Sequence, residues 1–336
     1  HKKTIQDIID CRNGSFGTMV YECSDCGNLH FIQCCCGNRH CPNCQHDKTD
    51  QWLNQQMEKL LPTHYFLLTI TLPQGLRDIV RSHQKQSYGA LFSCTNEALK
   101  KLAQDTRFIG SDRIGYLAVL HTWGSMLQYH PHLHLVIPGG ALSDNNDQWL
   151  PSRQDLFVHT KPLEIIFKAK FKDAMKKAGL LHKIDPAVWR QQWVIDSQAV
   201  GQGHNSLRYL SRYVFRVAIS NNRIKSIENN VIKFQYKDRE KNKWKTMALD
   251  AMEFIRRFLQ HVLPKGFMKI RHYGFLNPNS ALSIEKIREL ISFIHDIISL
   301  LIETPEPEIH GIKCSHCGHD LRFLFFVKPE PRCKPG

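Results

Sequence analysis

Acidic residues are the scarce class in this chain. Its 31 Asp and Glu face 45 Lys and Arg, for a formal charge of +14 and a pI near 9.3. A surplus of that size points to a polyanionic partner, most simply nucleic acid. Long apolar runs are also missing. Residues 290–302 come closest, but His295 and Asp296 interrupt them, so the stretch reads as an amphipathic helix and not as a membrane span. No signal peptide is visible, there are no internal repeats, and the chain opens on His1 rather than Met, so a preceding piece is expected. What remains is ordinary for a globular protein. At 336 residues with 42% hydrophobic content, the chain can build a sizeable core divided over two or three structural units.

Cysteine is plentiful but unevenly placed. Of twelve, eight fall between residues 11 and 44 and three lie near the C-terminus. In a basic chain without a signal peptide this distribution favours zinc over disulfides. Cys23-x-x-Cys26 and Cys41-x-x-Cys44 are separated by fourteen residues, and these four thiolates are the expected ligands of a tetrahedral structural zinc. Residues 1–46 have little apolar periodicity, so metal rather than a core must hold them together. Cys11, Cys36 and His40, with Cys34, Cys35 and His46, are spare ligands that could complete a second site or exchange with the first four. Closed zinc sites are structural, so the module reads as a binding element, with Arg39 and Lys48 available to a phosphate backbone. A second cysteine group lies near the C-terminus. There Cys314-x-x-Cys317 has Cys333, His316 and His319 as companions but no second C-x-x-C pair.

Between the cysteine groups the pattern is mixed α and β. Strands are predicted at 65–72, 115–123, 132–138 and 193–195, and helices at 46–61, 83–104, 163–178, 204–217 and 250–262. The 83–104 helix has Tyr88, Leu91, Phe92, Leu99 and Leu102 as its apolar stripe, and the 250–262 helix has Phe254, Ile255 and Phe258. Residues 115–123 and 132–138 read as an antiparallel hairpin. Residues 224–236 and 244–249 read as a second hairpin around the charged turn 237–243, and Pro305 and Pro307 mark a linker.

The run His130-Pro-His132-Leu-His134 carries the first chemical signal. Side chains alternate along a strand, so His132 and His134 share a face and can grip a divalent metal. The chain has 19 His, so one His-x-His is expected by chance; the pattern alone is balanced by a pair of solvated or hydrogen-bonded strand histidines. The second signal is Leu207-Arg-Tyr-Leu-Ser-Arg-Tyr-Val-Phe-Arg-Val217. On a helix Tyr209 and Tyr213 share a face, Arg208, Arg212 and Arg216 form a parallel basic stripe, and Leu207, Leu210, Val214 and Val217 form the buried side. Phenols flanked by guanidinium groups suit attack on a phosphodiester. The plainer alternative packs the tyrosines on the sheet and leaves the arginines in solvent.

Together these residues resemble the HUH-type, two-tyrosine transposases of rolling-circle insertion sequences, the family numbered ninety-one. His132-Leu-His134 matches its His-apolar-His motif, and Tyr209-Leu-Ser-Arg-Tyr213 matches its tyrosine motif. Cys36-Gly-Asn-Arg-His-Cys41-Pro-Asn-Cys44-Gln matches its zinc segment. Leu120–Gly124, Arg216–Ser220 and Phe267–Gly274 also match, while Cys34-Cys35 departs from the pattern. The resemblance covers roughly residues 10–275. It implies an α+β fold with an HUH-endonuclease-like central antiparallel sheet, flanking helices and small zinc-binding modules. The implied domains are a zinc module at 1–46, a nuclease domain at 47–275, and a helix with a C-terminal cysteine module at 276–336. The implied reaction is nicking and rejoining of single-stranded DNA through a 5′-phosphotyrosine, with transposon ends and target as partners and the bacterial cytoplasm as location. A third metal ligand is usual at such sites. His121 is the expected one: with the turn centred near residue 127 or 128 it lies across the hairpin from His134, with His130 and Gln128 as rivals. Zn²⁺ is the implied structural ion and Mg²⁺ or Mn²⁺ the catalytic one, imidazole ligands favouring Mn²⁺. A replication initiator or relaxase would use the same chemistry, and a non-catalytic zinc-dependent nucleic-acid-binding protein would use none of it.

Overall fold

A computed structural model of the chain describes residues 1–44, 46–208, 218–238, 241–294 and 312–329. In chain order it begins with α1 (Lys2–Ile9), β1 (Thr18–Cys23), β2 (Leu29–Gln33), α2 (His46–Met57) and β3 (Tyr65–Thr71). Next come α3 (Arg77–Ser82), α4 (Gln84–Ala103), β4 (Tyr116–Trp123), β5 (Tyr129–Pro138), β6 (Gly140–Leu142), β7 (Trp149–Pro151) and α5 (Thr160–Lys177). They are followed by α6 (Ala187–Arg190), β8 (Val194–Ala199), β9 (Ile224–Glu228), β10 (Val231–Asp238) and β11 (Lys243–Asp250). The last are α7 (Ala251–Leu259), β12 (Ile270–Tyr273), α8 (Ile284–Ile294) and β13 (Leu321–Val327). Among the described residues two compact units form, one from 1–54 with 312–329, the other from 55–208 with 218–294.

The larger unit is built on an antiparallel five-stranded sheet in the order β12-β4-β5-β3-β8. One face carries Phe66, Leu68 and Ile70 of β3, Ala118 and Leu120 of β4, and Leu133, Leu135 and Ile137 of β5. These pack against the stripe Tyr88, Leu91, Phe92, Leu99 and Leu102 of α4 and against Leu163, Phe167 and Phe171 of α5. Each fully buried Leu, Ile or Phe among them contributes about 1.5–3 kcal/mol relative to exposure. The strands expected at 65–72, 115–123 and 132–138 and the helices expected at 83–104 and 163–178 are β3, β4, β5, α4 and α5. The α+β class with a central antiparallel sheet and flanking helices is what the chain adopts. The strand β12, inside the stretch Phe267–Gly274, has no signature of its own and forms by pairing along β4.

Two details differ from expectation. The first is the register of β4 and β5, which pairs His121 with His132 and Val119 with His134, not His121 with His134. The turn sits slightly earlier than expected. Gly124 N–H donates to the Gln128 carbonyl at 3.0 Å, Leu127 takes a positive φ of 63°, and a bulge follows His121. The shift is two residues, an even number, so no side chain changes face. The second is the hairpin expected from 224–236 and 244–249, which is a three-stranded meander, β9-β10-β11. Asn229 and Asn230 adopt φ of 48° and 61° and split the first strand. Asn tolerates the left-handed region that a two-residue hairpin turn requires. On α7, Asp250 caps the amides of Met252 and Glu253 and Phe254 is buried, but Ile255 is exposed.

This addition holds the tip of the β4–β5 hairpin. Arg223 donates to the Ser125 carbonyl at 2.6 Å, and Gln260 to the Leu127 carbonyl at 2.7 Å. Arg257 reaches the Met126 carbonyl at 3.3 Å. His261 is buried, with Nε2–H directed at the Leu127 carbonyl at 3.1 Å and Nδ1 3.3 Å from the Thr122 hydroxyl.

The smaller unit has a three-stranded sheet in the order β13-β1-β2, so the C-terminal cysteine segment forms no module of its own. It pairs along β1 from Thr18↔Val327 to Cys23↔Leu321. The amphipathic helix expected at 290–302 overlaps α8 at 290–294, and its remainder lies outside the described residues. In the larger unit Ile287 and Ile291 of α8 pack with Leu61, Trp149 and Phe275, and Arg288 reaches the carbonyls of Glu58 and Leu60. Among the described residues no helix is long and apolar enough to cross a membrane. Tyr209, Tyr213, Arg212, Arg216, Cys333, the Pro305–Pro307 linker and the side chains of His46 and Lys48 lie outside the described residues.

Burial holds the His261 pKa down to about 4, below its ordinary value. The unfolded chain therefore binds a proton between about pH 6.5 and 4 that the folded chain refuses, so stability falls as pH drops through that window, by up to about 3 kcal/mol. Urea unfolding of the wild type is expected to lose more stability between about pH 7 and 4.5 than His261→Gln, which keeps the hydrogen bond and lacks the titration. Equal losses would remove His261 as the source.

Candidate metal centres

The cysteines of the smaller unit gather into two groups of four, Cys11, Cys36, Cys41 and Cys44 in one and Cys23, Cys26, Cys314 and Cys317 in the other. In the first, the Cys44 sulfur lies 3.5 Å from that of Cys11 and 3.4 Å from that of Cys36. In the second, Cys23 and Cys317 are 3.4 Å apart, Cys26 and Cys314 3.8 Å, and Cys26 and Cys317 3.6 Å. Four sulfurs each about 2.3 Å from a tetrahedral zinc stand about 3.8 Å apart, whereas a disulfide needs about 2.05 Å. Both groups therefore fit zinc by donor type, number and spacing.

The four thiols expected at one site are thus not brought together. Cys41 and Cys44 take Cys11 and Cys36 as partners, and Cys23 and Cys26 take Cys314 and Cys317. The sequence spacing shows that each C-x-x-C pair can converge, but pairing of the pairs is set by β1, which carries Cys23 towards β13. Cys34, Cys35 and His40 join neither group. His40 is buried and its amide donates to the Asn38 side chain at 2.9 Å. His316 contributes its backbone amide to the Cys314 sulfur, and His319 faces Asp25 at 3.4 Å. Protonation differs along the module. The Cys26 amide heads the interactions that bring Cys23 down to about 6, while burial pushes Cys36 up to about 11 and raises Cys44 as well. Buried thiols of the second kind give up protons to a cation and not to water, which couples metal uptake to folding.

In the larger unit His121, His132 and His134 converge, all buried, with ring centroids 4.7–5.3 Å apart. His132 and His134 sit two apart on β5, and His121 stands opposite His132 and diagonal to His134 on the same face. Nδ1 of His132 lies 2.6 Å from the His130 carbonyl, to which it must donate, leaving Nε2 with a lone pair. Nδ1 of His134 lies 3.0 Å from the Thr69 hydroxyl, which orients the ring in the same way. Burial, then the neighbouring imidazoles and Lys269, holds His121 well below its ordinary pKa, so it is a neutral donor. Three buried imidazoles gathered in one group fit a divalent cation with open positions. The rivals are engaged elsewhere. Arg77 approaches Nδ1 of His130 at 2.7 Å, and the Gln128 side chain accepts from the Met126 amide at 2.9 Å. Thr69 belongs to no sequence motif; its only signal is that Thr69 and Thr71 are the polar interruptions in an otherwise apolar strand.

The histidine face continues to either side. Asp196 of β8 is opposite Thr69 and exposed. Farther along β4 and β5, Leu117 and Val136 line a pocket with Tyr65, His272 and Leu207. Leu207 belongs to the helical residues 204–208, on which Arg208 is exposed, and it meets the strands on the face that carries the histidines.

A family model described as "Putative transposase" matches residues 115–282, and one described as "Transposase zinc-binding domain" matches residues 1–72. A relative from Sinorhizobium fredii, "Putative transposase y4qJ", is 37% identical over 286 residues, covering 79% of this chain and 72% of the relative. The chain belongs to the IS91 transposase family, with an N-terminal zinc-binding domain. A transposase of insertion sequence element IS801 from Pseudomonas savastanoi pv. phaseolicola is 26% identical, covering 82% of this chain and 70% of its own. Among solved structures, the origin-recognition/nickase domain of human bocavirus non-structural protein 1 aligns with 11% identity and a TM-score of 0.24, over 60% of this chain and 76% of that one. A likeness that slight carries no argument. Family membership makes DNA the partner of the basic chain and structural zinc the occupant its cysteine-rich domain is built for. The transposase match contains the three histidines and both tyrosines. The zinc-domain match contains all of the first cysteine group and half of the second.

Replacing Thr69 with Val removes the group that orients His134 while keeping the shape of the side chain. Mn²⁺ affinity at the histidine site, measured by titration, is expected to fall about tenfold with no change in circular dichroism. Unchanged affinity would mean that Thr69 does not orient a ligand.

Proposed function

We propose that this transposase nicks and rejoins single-stranded DNA through a 5′-phosphotyrosine, with Tyr209 and Tyr213 as nucleophiles and His121, His132 and His134 as ligands of a divalent ion. The observation that supports it most directly is the convergence of three buried imidazoles on one sheet face, the face that Leu207, two residues before Tyr209 in sequence, also meets at Leu117 and Val136. When bound, Mg²⁺ or Mn²⁺ supplies Lewis-acid polarisation of the scissile phosphate. The three histidines fix where that phosphate is held, and His130 and Thr69 fix the histidines. A tyrosine oxygen forms the new bond to phosphorus and loses its proton. The bond from phosphorus to the 3′-oxygen breaks, and that oxygen leaves as a 3′-hydroxyl after taking up a proton. Because the phosphotyrosine conserves the bond, a later 3′-hydroxyl can reverse the step and join a new strand without ATP. A second tyrosine allows a second cut while the first is loaded. Arg208, with Arg212 and Arg216 on the same motif, offsets the charge that grows on the phosphate oxygens.

The reading is tested with a labelled single-stranded oligonucleotide carrying a transposon end. Wild-type protein with Mn²⁺ is expected to give a covalent adduct stable to denaturation and lost with EDTA. Tyr209→Phe with Tyr213→Phe is expected to abolish it and leave binding intact. Adduct in the double variant would overturn the nucleophile assignment, and no cleavage with either ion on any end sequence would overturn the activity. Binding itself is expected to weaken steeply with salt, the slope of log K against log salt being about −0.7 per phosphate contacted. A flat salt response would show that the basic surplus does not meet the backbone.

A further inference from the structure

We propose that the chain holds a second structural zinc ion shared between its two ends, on Cys23 and Cys26 from the N-terminal module and Cys314 and Cys317 from the C-terminal segment, so that residues 312–329 are part of the zinc module. The zinc-domain match ends at residue 72 and assigns nothing to the C-terminal pair. Three independent observations support the shared site.

The first is that the two C-x-x-C turns are copies of each other in sequence and backbone. They read Cys23-Ser-Asp-Cys26-Gly27 and Cys314-Ser-His-Cys317-Gly318. The glycine amide donates to the carbonyl of the first cysteine at 3.1 Å in one and 2.9 Å in the other. The first cysteine's amide donates to Asn28 at 2.9 Å and to His319 at 2.8 Å, the equivalent positions. Gly27 and Gly318 take φ of 70° and 81°, a left-handed conformation that lets the amides turn in towards the sulfurs. Such a turn presents two sulfurs to one ion, and two facing turns complete a tetrahedron.

The second observation is that the sheet forces the turns to face. β13 follows the second turn and pairs antiparallel with β1, which precedes the first, down to Cys23↔Leu321. The Ser24 amide donates across to the Asp320 carbonyl at 3.4 Å, joining the turns directly. The third is the sulfur geometry, with cross-turn distances of 3.4–3.8 Å, the spacing of a tetrahedral thiolate site and far from a disulfide. His30 adds a ring nitrogen 3.2 Å from the Cys314 sulfur, a hydrogen bond of the kind that steadies a metal-bound thiolate. Among the described residues this unit encloses little apolar core, so a shared ion would add to the β1–β13 ladder in holding the C-terminal strand.

Zinc content of the full-length protein tests the proposal. Wild type is expected to carry two zinc ions per chain by elemental analysis. Cys314→Ser with Cys317→Ser is expected to carry one, as is Cys23→Ser with Cys26→Ser. The quadruple variant of these four positions is also expected to carry one, because both pairs serve one ion. Two ions in the C-terminal variant, or none in the quadruple variant, would overturn the shared site. Since a variant could lose metal by misfolding, Cys317→His is the control: it supplies a nitrogen ligand and is expected to keep two ions. A second readout uses wild-type protein alone. Mild chelation that removes one ion is expected to expose residues 312–329 to limited proteolysis, and protection that persists after loss of both ions would also overturn the proposal.

Discussion

The alternation of side chains across the β4–β5 hairpin is the constraint on which the rest depends. It puts His121, His132 and His134 on one face of the sheet and Leu120, Leu133 and Leu135 on the other. The apolar face buys the stability, through α4 and α5, that allows the opposite face to keep three imidazoles together. A one-residue slip would exchange the faces and lose both core and site at once. The meander and α7 guard against that slip by tying the carbonyls of Ser125, Met126 and Leu127 at the hairpin tip to Arg223, Arg257, Gln260 and His261.

In the smaller unit the constraint is of another kind. Its sheet leaves Leu29, Phe31, Phe323 and Phe325 exposed, and little apolar surface is enclosed. Organisation comes instead from sulfur. One group of four is gathered within the first 44 residues, and the other spans the chain from Cys23 to Cys317. An ion that binds only the folded arrangement contributes its binding free energy directly to that arrangement. That is how a short strand near the C-terminus can be a fixed part of an N-terminal module.

Much of this was legible in the sequence, for identifiable reasons. The apolar run at Tyr65–Leu72, the stripe from Tyr88 to Leu102 and the His-Leu-His step all report local periodicity, which the fold respected. That His121 would share a face with His132 and His134 was legible because an even shift in register leaves the face unchanged, even though His121 pairs with His132 and not His134. The turn at Asn229 and Asn230 is signalled by residue type but masked by the β-favouring residues on either side. Thr69 could be seen as a polar interruption, yet nothing in β3 by itself says which histidine it serves. Arg77 belongs to a different helix from any motif, and its approach to His130 has no sequence signal.

The sequence alone determined the local facts: which residues alternate, which cysteines can pinch together two by two, and that the chain is basic enough to seek a polyanion. Those follow from spacing and charge, which survive any folding. Only the tertiary structure decided which pairs meet. Cys23 and Cys26 join Cys314 and Cys317, while Cys41 and Cys44 join Cys11 and Cys36, because strand pairing brings distant segments together with little regard for their separation along the chain. The same pairing gathers His121 with His132 and His134. Sequence distance sets the entropy of closing such a loop and not the identity of the partner, so the partner has to be read from the fold.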